Sequence, residues 1–403
     1  MADSLSTPPK RKRITEILEA ATGGKSYKAH KYSLDDPDRP SVEYGDNNTL
    51  QWKEYGETKQ SKTYITLTEK SKSLANCGVS LIAYFLDGSR HVYKVDDMGF
   101  EKSGKRSVIY PIVAGQIGVG CCRRDEERYM HKQDFCGEVA IAVPDVANAD
   151  GGDANGYFQG LAKKIKSGST LALRLGRDWE FSRVFHYSTA DEQHAKFEDL
   201  GTAKIQDRMY ALEQDMVAKL VAGGRLNQDS YLIKDGSLEY NPTKEMRNDP
   251  IKYKQFKNNY DFVLGVSKGF NPTVCKDANG KSNPGFIANM PLYSRTPVAK
   301  YTNDMLGDIA FAVWYIRIHD QAHTRSPFDG IIKVEKILVT DDEVSSGMDS
   351  GLVDTLSAYL INERNPVCYG ADLRWANHLY PVYLTERFVK SHYISEESFL
   401  HMF

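Results

Sequence analysis

Two apolar runs, each followed by Asp-Gly-Ser, constrain this chain more than any other feature of its sequence. Residues 78–86 lead into Asp87, and residues 230–234 lead into Asp235. Runs rich in β-branched and aromatic residues are typical of strands. A carboxylate at a strand end is held rigidly, and the glycine after it allows the close approach that a hard, oxygen-liganded cation needs. Asp-Gly is also common hairpin chemistry, so either tripeptide alone predicts a turn.

The first Asp-Gly-Ser predicts a β-hairpin. Residues 78–86 form its first strand, residues 87–89 its turn and residues 91–95 its return strand. A third apolar run, residues 108–119, contains glycines that mark bulges or close backbone contacts. The economical interpretation is a three-stranded antiparallel meander.

The second half of the chain alternates helical and strand patterns. Apolar residues recur at helical spacing between positions 191 and 220, and Gly223-Gly224 ends this helix. Further strands are predicted at 230–234, 260–267 and 309–318, with a half-exposed strand at 331–339, and helices at 350–361 and 379–390. This order predicts a mixed α/β protein with helices on the faces of a mixed sheet.

The domain organisation follows from composition along the chain. Residues 1–60 are polar, with a basic run at 10–13, and form an N-terminal arm that is either a solvated tail or a docking segment for a partner. Residues 61–403 form the main domain. Residues 149–156 have no apolar side for packing, which predicts a flexible insertion near 145–160.

Charge, cysteine content and hydropathy exclude several classes of protein. The formal net charge is −2, so a polyanion partner must be held by a local basic surface. The six cysteines contain no CxxC pair, which favours reduced thiols. No apolar run approaches the ~20 residues of a membrane helix, so we expect a cytoplasmic protein with no membrane contact. The sequence contains no GxxxxGK[ST] motif, so we expect that this chain does not itself hydrolyse ATP.

A third carboxylate, Glu213, lies in the long helix before the second strand. It stands four residues after Met209 and three before Met216, on or beside the buried stripe, where an ionised group needs a partner. The alternative is a glutamate on the helix surface near basic neighbours. A strand Asp, a helix Glu and a second strand Asp is the order by which ribonuclease-H-like nucleases gather carboxylates around two metal ions.

Lys268 is the last candidate site residue in this part of the sequence. It ends the strand of residues 262–267, which should neighbour the strand of Asp235. At that position the ammonium either faces a phosphate or points to solvent.

Several short segments together resemble the NurA nucleases, the partners of HerA-type ATPases. They are LIAYFLDGS, YLIKDGSL, YDFVLGVSK, the strand of residues 314–318 with Arg317, and YPVYL at residues 380–384. The resemblance spans about residues 78–395 as sparse motifs. It implies a ribonuclease-H-like fold with added elements, and a homodimer seated on a HerA-like hexameric DNA-translocating ATPase. It also implies cutting of DNA from its ends or in single strands with Mn²⁺ or Mg²⁺.

Position by position, the resemblance assigns catalytic roles to Asp87, Glu213, Asp235 and Lys268, with the three carboxylates as metal ligands. Because such dimers hold DNA in a channel, it also implies phosphate contacts by Arg90, Lys94 and Lys268.

The chain departs from the family at its C-terminal motif, where a histidine is expected soon after Tyr-Pro-x-x-Leu. Arg387 or Phe388 occupies that place, and His378 and His392 flank the segment. Glu335 and Asp354 are weaker candidates to replace the missing histidine as the last ligand.

The leading hypothesis is a metal-dependent DNA nuclease that works with a HerA-like ATPase in DNA end processing or antiphage defence. One alternative is a catalytically inactive adaptor of the same fold that binds DNA and the ATPase. Another is an Argonaute/Piwi-like nuclease, which uses the same carboxylate logic but fits the Asp-Gly-Ser repeats less well.

Overall fold

The computed structural model describes residues 51–403 except 79, 103–105, 149–151, 169–174, 191–195, 241–247, 278, 304–308, 322–325 and 367–374. The strands are β1 Gln51–Tyr55, β2 Ile65–Thr66, β3 Ile82–Lys102, β4 Arg106–Arg124, β5 Met130–Pro144, β6 Trp179–Tyr187, β7 Tyr231–Asp235, β8 Val263–Ser267, β9 Ser294–Arg295, β10 Ala299–Asn303, β11 Ile309–Arg317 and β12 Ile331–Ile337. The α-helices are α1 Thr68–Asn76, α2 Ala154–Gly168, α3 Phe197–Ala222, α4 Pro250–Asn259, α5 Pro284–Ala288, α6 Asp341–Ser346, α7 Ser350–Asn362, α8 Tyr380–Lys390 and α9 Glu396–Leu400.

The described strands join in one mixed sheet, so the predicted mixed α/β class is confirmed. The order across it is β1-β10-β11-β12-β8-β7-β3-β4-β5-β6, with β2 pairing β9 and β9 pairing β11. β3, β4 and β5 are antiparallel to one another, whereas β7 is parallel to β3 and β8 is parallel to β7. The carboxyl end of β7 therefore lies beside Asp87, in the first third of β3, and the carboxyl end of β8 lies one strand farther away.

The predicted hairpin turn at residues 87–89 is wrong. Asp87, Gly88 and Ser89 continue β3 and pair with residues 120, 119 and 118 of β4. β3 runs on to Lys102, and the connection to β4 lies outside the described residues. The ladder of β4 satisfies the backbone groups that a turn would have freed, which overrides the local turn preference. The predicted three-stranded meander is therefore wrong as well, since residues 82–86 and 91–95 belong to one strand. The antiparallel meander in the structure is formed by β3, β4 and β5.

Helices pack on both faces of this meander because β4 carries glycines at the contacts. A Cβ at Gly115 would overlap Ile205 of α3, and a Cβ at Gly120 would overlap Val389 of α8. Positions 115 and 120 point to opposite faces, since side chains alternate along a strand. The long helix α3 therefore covers one face and α8 the other, each at close range.

Helix α3 confirms the long amphipathic helix predicted from the sequence. Its buried positions include Ile205, Met209, Leu212 and Met216, and it ends before Gly223. The first residues of the predicted helix, 191–195, lie outside the described part of the chain. The predicted strand near 331–339 is also present as β12, but its half-exposed character is wrong.

All seven residues of β12 are buried, including Lys333, Glu335 and Lys336. β12 is a central strand between β11 and β8, so its charged side chains are enclosed by packed layers instead of facing water. Lys333 Nζ lies 2.6 Å from Glu335 Oε1, so these two buried charges compensate each other.

The predicted N-terminal arm lies mostly outside the described residues. Its last part is part of the sheet: β1 pairs with β10, and Glu57 is buried. In the predicted insertion, residues 149–151 are outside the description, a 3₁₀ turn covers Asp145–Ala147 and α2 begins at Ala154. None of the described helices is long and apolar enough to cross a bilayer.

Arg295 fastens the segment after β1 to the rest of the fold, and its loss should be costly. Its guanidinium lies 2.8 Å from Glu57 Oε2 and 2.7 Å from Asp354 Oδ1, and both Arg295 and Glu57 are buried. Arg295→Met leaves Glu57 uncompensated, so we expect the free energy of unfolding in urea to fall by about 3–5 kcal/mol. Lys72→Met, which removes an exposed pair with Glu69, is the matched control and should change it by less than about 1 kcal/mol. Equal effects of the two substitutions would contradict this assignment.

Candidate functional site

Asp87 and Asp235 lie side by side because β3 and β7 are parallel neighbours. Leu86 is in register with Lys234, which places the next residue of each strand, Asp87 and Asp235, at adjacent positions on the same face. Lys268 follows the next parallel strand, β8, and its Nζ lies 2.8 Å from Asp235 Oδ2. The structure thus brings together three of the four residues predicted to be catalytic.

The turn after β7 is fixed by its own backbone geometry and by buried partners. Gly236 has a φ of +87°, which favours glycine, and its N–H donates to the Val266 carbonyl at 2.8 Å. Glu335 Oε2 accepts from Ser237 Oγ and from the Leu238 N–H, each at 2.8 Å. Glu335, expected as a stand-in ligand, instead holds the loop that follows Asp235.

A fourth carboxylate, Glu386 of α8, joins this group and was missed in the sequence. Its Oε2 lies 3.5 Å from Lys268 Nζ, and its Oε1 lies 2.6 Å from Lys390 Nζ. The signal that identified Glu213 was also present here, since Glu386 stands four residues after Val382 and three before Val389, both buried.

The electrostatics of this group are dominated by burial and by negative charge. Burial, followed by the charge of Asp235, raises the pKa of Asp87 well above its ordinary value; Lys268 opposes this shift and Glu386 adds to it. Burial disfavours the charged form of Glu386, but Lys268 and Lys390 outweigh burial and lower its pKa to about 2. Burial also disfavours the charged form of Lys268 and so acts to lower its pKa. Asp235 and Glu386 outweigh burial and raise that pKa, so the ammonium stays charged.

Glu213 reaches the same place from the opposite face of the sheet. Gly88 points toward α3, and a Cβ at that position would overlap Glu213 Oε1, so the glycine admits the carboxylate against the backbone of β3. Glu213 is 1% exposed, and its Oε2 lies 3.2 Å from Lys234 Nζ and accepts from the Tyr240 hydroxyl at 3.2 Å. Burial raises the pKa of Glu213, and the interactions with Lys234 and Tyr240 oppose that shift. The predicted need for a buried partner is met by Lys234.

One cavity of about 380 Å³ joins the two faces at this point. Its walls include Asp87, Glu213, Asp235 and Lys268, together with the exposed ring of Tyr210. The three carboxylates predicted as metal ligands therefore border a single space, although Glu213 enters it from the side of α3. Glu386 reaches the group through Lys268.

The donor set suits a hard divalent cation in type and charge. Carboxylate oxygens are the ligands that Mg²⁺ and Mn²⁺ prefer, and burial together with the nearby charges of Asp235, Glu386 and Glu213 raises the pKa of Asp87. Within the described part of the chain, however, no three acidic, histidine or cysteine side chains already converge on one point as a metal site. Lys268 and Lys234 pair with the carboxylates instead.

The remaining predicted residues lie around this centre or away from it. Arg90, three residues beyond Asp87 on β3, contacts the Gln206 side chain of α3. Lys94 is exposed and pairs with Asp97 at 2.8 Å, and its position seven residues after Asp87 puts it roughly 20 Å along the strand.

The other stand-ins for the family histidine have structural contacts. His392 stacks on Phe135, with ring centroids 4.1 Å apart, and Phe388 packs against both rings. Buried His378 is close enough to Glu386 to favour its ionised form. Asp354 accepts from Arg295 at 2.7 Å, in the ion-pair group that holds Glu57.

No protein-family model matches this sequence, and no curated protein matches it significantly.

Gly88→Ala should destabilise the protein, because the added methyl group collides with the buried Glu213 carboxylate. We expect a loss of about 1–3 kcal/mol in the free energy of unfolding, as for overpacked positions. Gly160→Ala in α2, where a Cβ meets nothing within 4 Å, is the matched control and should be neutral or stabilising. Urea denaturation followed by circular dichroism measures both, and a neutral Gly88→Ala would contradict the close contact.

Asp87→Asn should stabilise the metal-free protein increasingly as pH rises from about 4 to 8. The folded-state pKa of Asp87 is raised above its ordinary value of 3.8, so its contribution to stability is complete below that value and is lost as pH rises through the folded pKa. Urea denaturation in EDTA at several pH values measures the difference between variant and wild type. Exposed Asp178→Asn is the control, and a difference for Asp87→Asn that shrinks with pH would contradict the raised pKa.

Proposed function

We propose that this protein is a metal-dependent DNA nuclease that hydrolyses phosphodiester bonds in the cavity bordered by Asp87, Glu213 and Asp235. The observation that carries the proposal is that Asp87, Glu213 and Asp235, far apart in sequence, all line one cavity beside the half-buried Lys268, with Glu213 entering from the face of α3. Structural ion pairs usually balance their charges, whereas here the three carboxylates of Asp87, Asp235 and Glu386 lie near the two ammonium groups of Lys268 and Lys390, an excess that a divalent cation would match.

The order of elements supports a ribonuclease-H-like nuclease. A carboxylate in the first strand of an antiparallel meander is followed by a carboxylate in a long helix, and then by one at the end of a strand parallel to the first. That is the strand, helix, strand order by which such nucleases collect their metal ligands. Glu386 adds a fourth carboxylate from a C-terminal helix, in the region where the NurA motif was incomplete.

Each side chain has a definable task in this mechanism. Asp87, Glu213 and Asp235 would hold Mn²⁺ or Mg²⁺, which when bound activates a water and stabilises the leaving 3′ oxygen. Lys268 would present a positive charge at the same cavity, suited to a phosphate oxygen. Glu386 pairs with that ammonium and helps to fix its position. Lys234 and Tyr240 keep the Glu213 carboxylate at the cavity wall.

The proposal includes the partners that the NurA resemblance implies. The protein would act in the cytoplasm as a homodimer on a HerA-like hexameric ATPase, in DNA end processing or antiphage defence. Lys268 and Arg90 are near enough to the cavity to contact DNA phosphates, and exposed Lys94 would do so farther along β3.

A second candidate is a catalytically inactive adaptor that binds DNA and the ATPase. It is favoured by the pairing of Asp235 with Lys268 and of Glu213 with Lys234, because a lysine ammonium can neutralise a carboxylate without any metal. The two candidate functions differ in whether a divalent cation displaces Lys268 and Lys234 from their carboxylate partners.

A cleavage assay on labelled single- and double-stranded DNA with Mn²⁺ separates them. If the proposal is right, Asp87→Asn and Asp235→Asn should each lower the rate by about 10²-fold or more, since both remove a ligand of the reacting metal. Asp178→Asn, an exposed site elsewhere, should leave the rate unchanged. Cleavage that survives both substitutions would reject this site. Absence of cleavage by the wild type, alone and with its ATPase, would favour the adaptor.

A further inference from the structure

A second cavity, of about 630 Å³, lies between α2, the edge strand β6 and α3. We call it the basic groove and define it by the five cations on its walls: Lys163, Lys166, Arg183, Lys204 and Arg208. It shares no lining residue with the cavity of about 380 Å³ that Asp87, Glu213 and Asp235 line, which we call the carboxylate cavity.

Helix α3 lies between the two cavities. Lys204 and Arg208 are one turn apart and face the groove, whereas Gln206, Tyr210 and Glu213 face the carboxylate cavity. At 3.6 residues per turn these two sets fall on opposite sides of the helix. Since a helix with its side chains is about 10 Å across, one helix width separates the groove from the carboxylate cavity.

The groove concentrates positive charge in a chain whose formal net charge is −2. Glu180 is the only acidic residue among its described lining residues. Lys166 pairs with Glu180 at 2.9 Å, and Arg208 pairs with Glu138. Among the described residues no ion pair within 4 Å involves Lys163, Arg183 or Lys204, although Glu138 acts on Arg183 and Asp207 on Lys204 at longer range. Such a local surface is what a polyanion partner of this chain requires.

The cations are distributed along the groove instead of converging on one point. Lys163 and Lys166 lie three residues apart on α2, Lys204 and Arg208 lie four residues apart on α3, and Arg183 projects from the strand between. Neighbours at these helical spacings are about 5–6 Å apart, so the charges form two rows. Lys163, Lys166 and Arg183 are exposed, and rows of accessible cations suit a repeating anion better than a single enclosed one.

Aromatic rings line the same groove. Buried Phe158 stacks with half-buried His186, their ring centroids 4.8 Å apart, and half-buried Phe185 lies on the other face of β6. A groove that combines cations with partly exposed rings suits a single nucleic-acid strand, because phosphates meet the cations and bases stack on accessible rings.

We infer that the basic groove binds the phosphodiester backbone of a single nucleic-acid strand. That this strand is also the substrate of the carboxylate cavity rests on the proposed function; binding in the groove does not. A strand leaving the groove would cross the solvent side of α3 near the exposed Tyr210, which borders the carboxylate cavity.

The test is binding of a fluorescein-labelled single-stranded oligodeoxynucleotide to the full chain, measured by fluorescence anisotropy in EDTA. The variant combines Lys163→Glu, Arg183→Glu and Lys204→Glu. The matched control combines Arg225→Glu, Lys252→Glu and Lys254→Glu, which reverse three exposed charges outside the groove. Circular dichroism melting of both variants verifies that they fold.

We expect the groove variant to bind at least tenfold more weakly than the wild type. The slope of log affinity against log salt should fall by about 2, since each phosphate contact to a single strand contributes about 0.7. The control should keep most of the affinity. Equal binding by wild type and groove variant, or equal losses in both triple variants, would overturn the inference.

This binding assay and the Mn²⁺ cleavage assay together distinguish failure of this inference from failure of the proposed function. If the wild type cuts DNA but the groove variant binds normally, the groove inference is wrong and the nuclease stands. If the groove variant alone loses binding and the wild type never cuts, the groove stands and the nuclease is wrong.

Discussion

The crowding of three carboxylates, Asp87, Asp235 and Glu386, beside the ends of β7 and β8 is the constraint on which the rest of this account depends. Burial penalises ionised carboxylates strongly, so a fold keeps several of them together only with compensating partners. Here Asp87, Asp235 and Glu386 surround one enclosed ammonium, Lys268, with Lys390 reaching Glu386 from solvent. Burial, followed by the charge of Asp235, raises the pKa of Asp87. A fold that served stability alone would gain from replacing such a group with apolar residues.

The surrounding structure holds these carboxylates from both faces of the sheet. On one face α8 carries Glu386 to Lys268, and on the other α3 carries Glu213 against the backbone of Gly88. Behind them, Glu335 of β12 binds the loop after Asp235 and pairs with Lys333. Rigid elements with buried supporting contacts are the setting in which a site keeps its geometry.

The sequence predicted much of this site because its residues lie at element boundaries or in a regular helix. Asp235 and Lys268 follow short apolar strands, and Glu213 is identified by its place in the buried stripe of α3. The turn at Asp87 was predicted wrongly because local preference cannot show that β4 supplies a ladder partner to every residue there. The burial of β12 depends on its central place in the sheet, which is a property of long-range strand order. Glu386 carried the same helical signal as Glu213, but only the packing of α8 against β3 and β4 places it at Lys268.

Binding of Mn²⁺ to the full chain, measured by isothermal titration calorimetry near pH 7.5, tests the central claim most directly. The account predicts saturable binding that Asp87→Asn or Asp235→Asn weakens at least tenfold, while Asp178→Asn leaves it unchanged. Binding should also release protons, since burial and Asp235 raise the pKa of Asp87 and the metal favours its ionised form. Absence of binding, or binding indifferent to both aspartates, would contradict the assignment of these carboxylates as a metal centre.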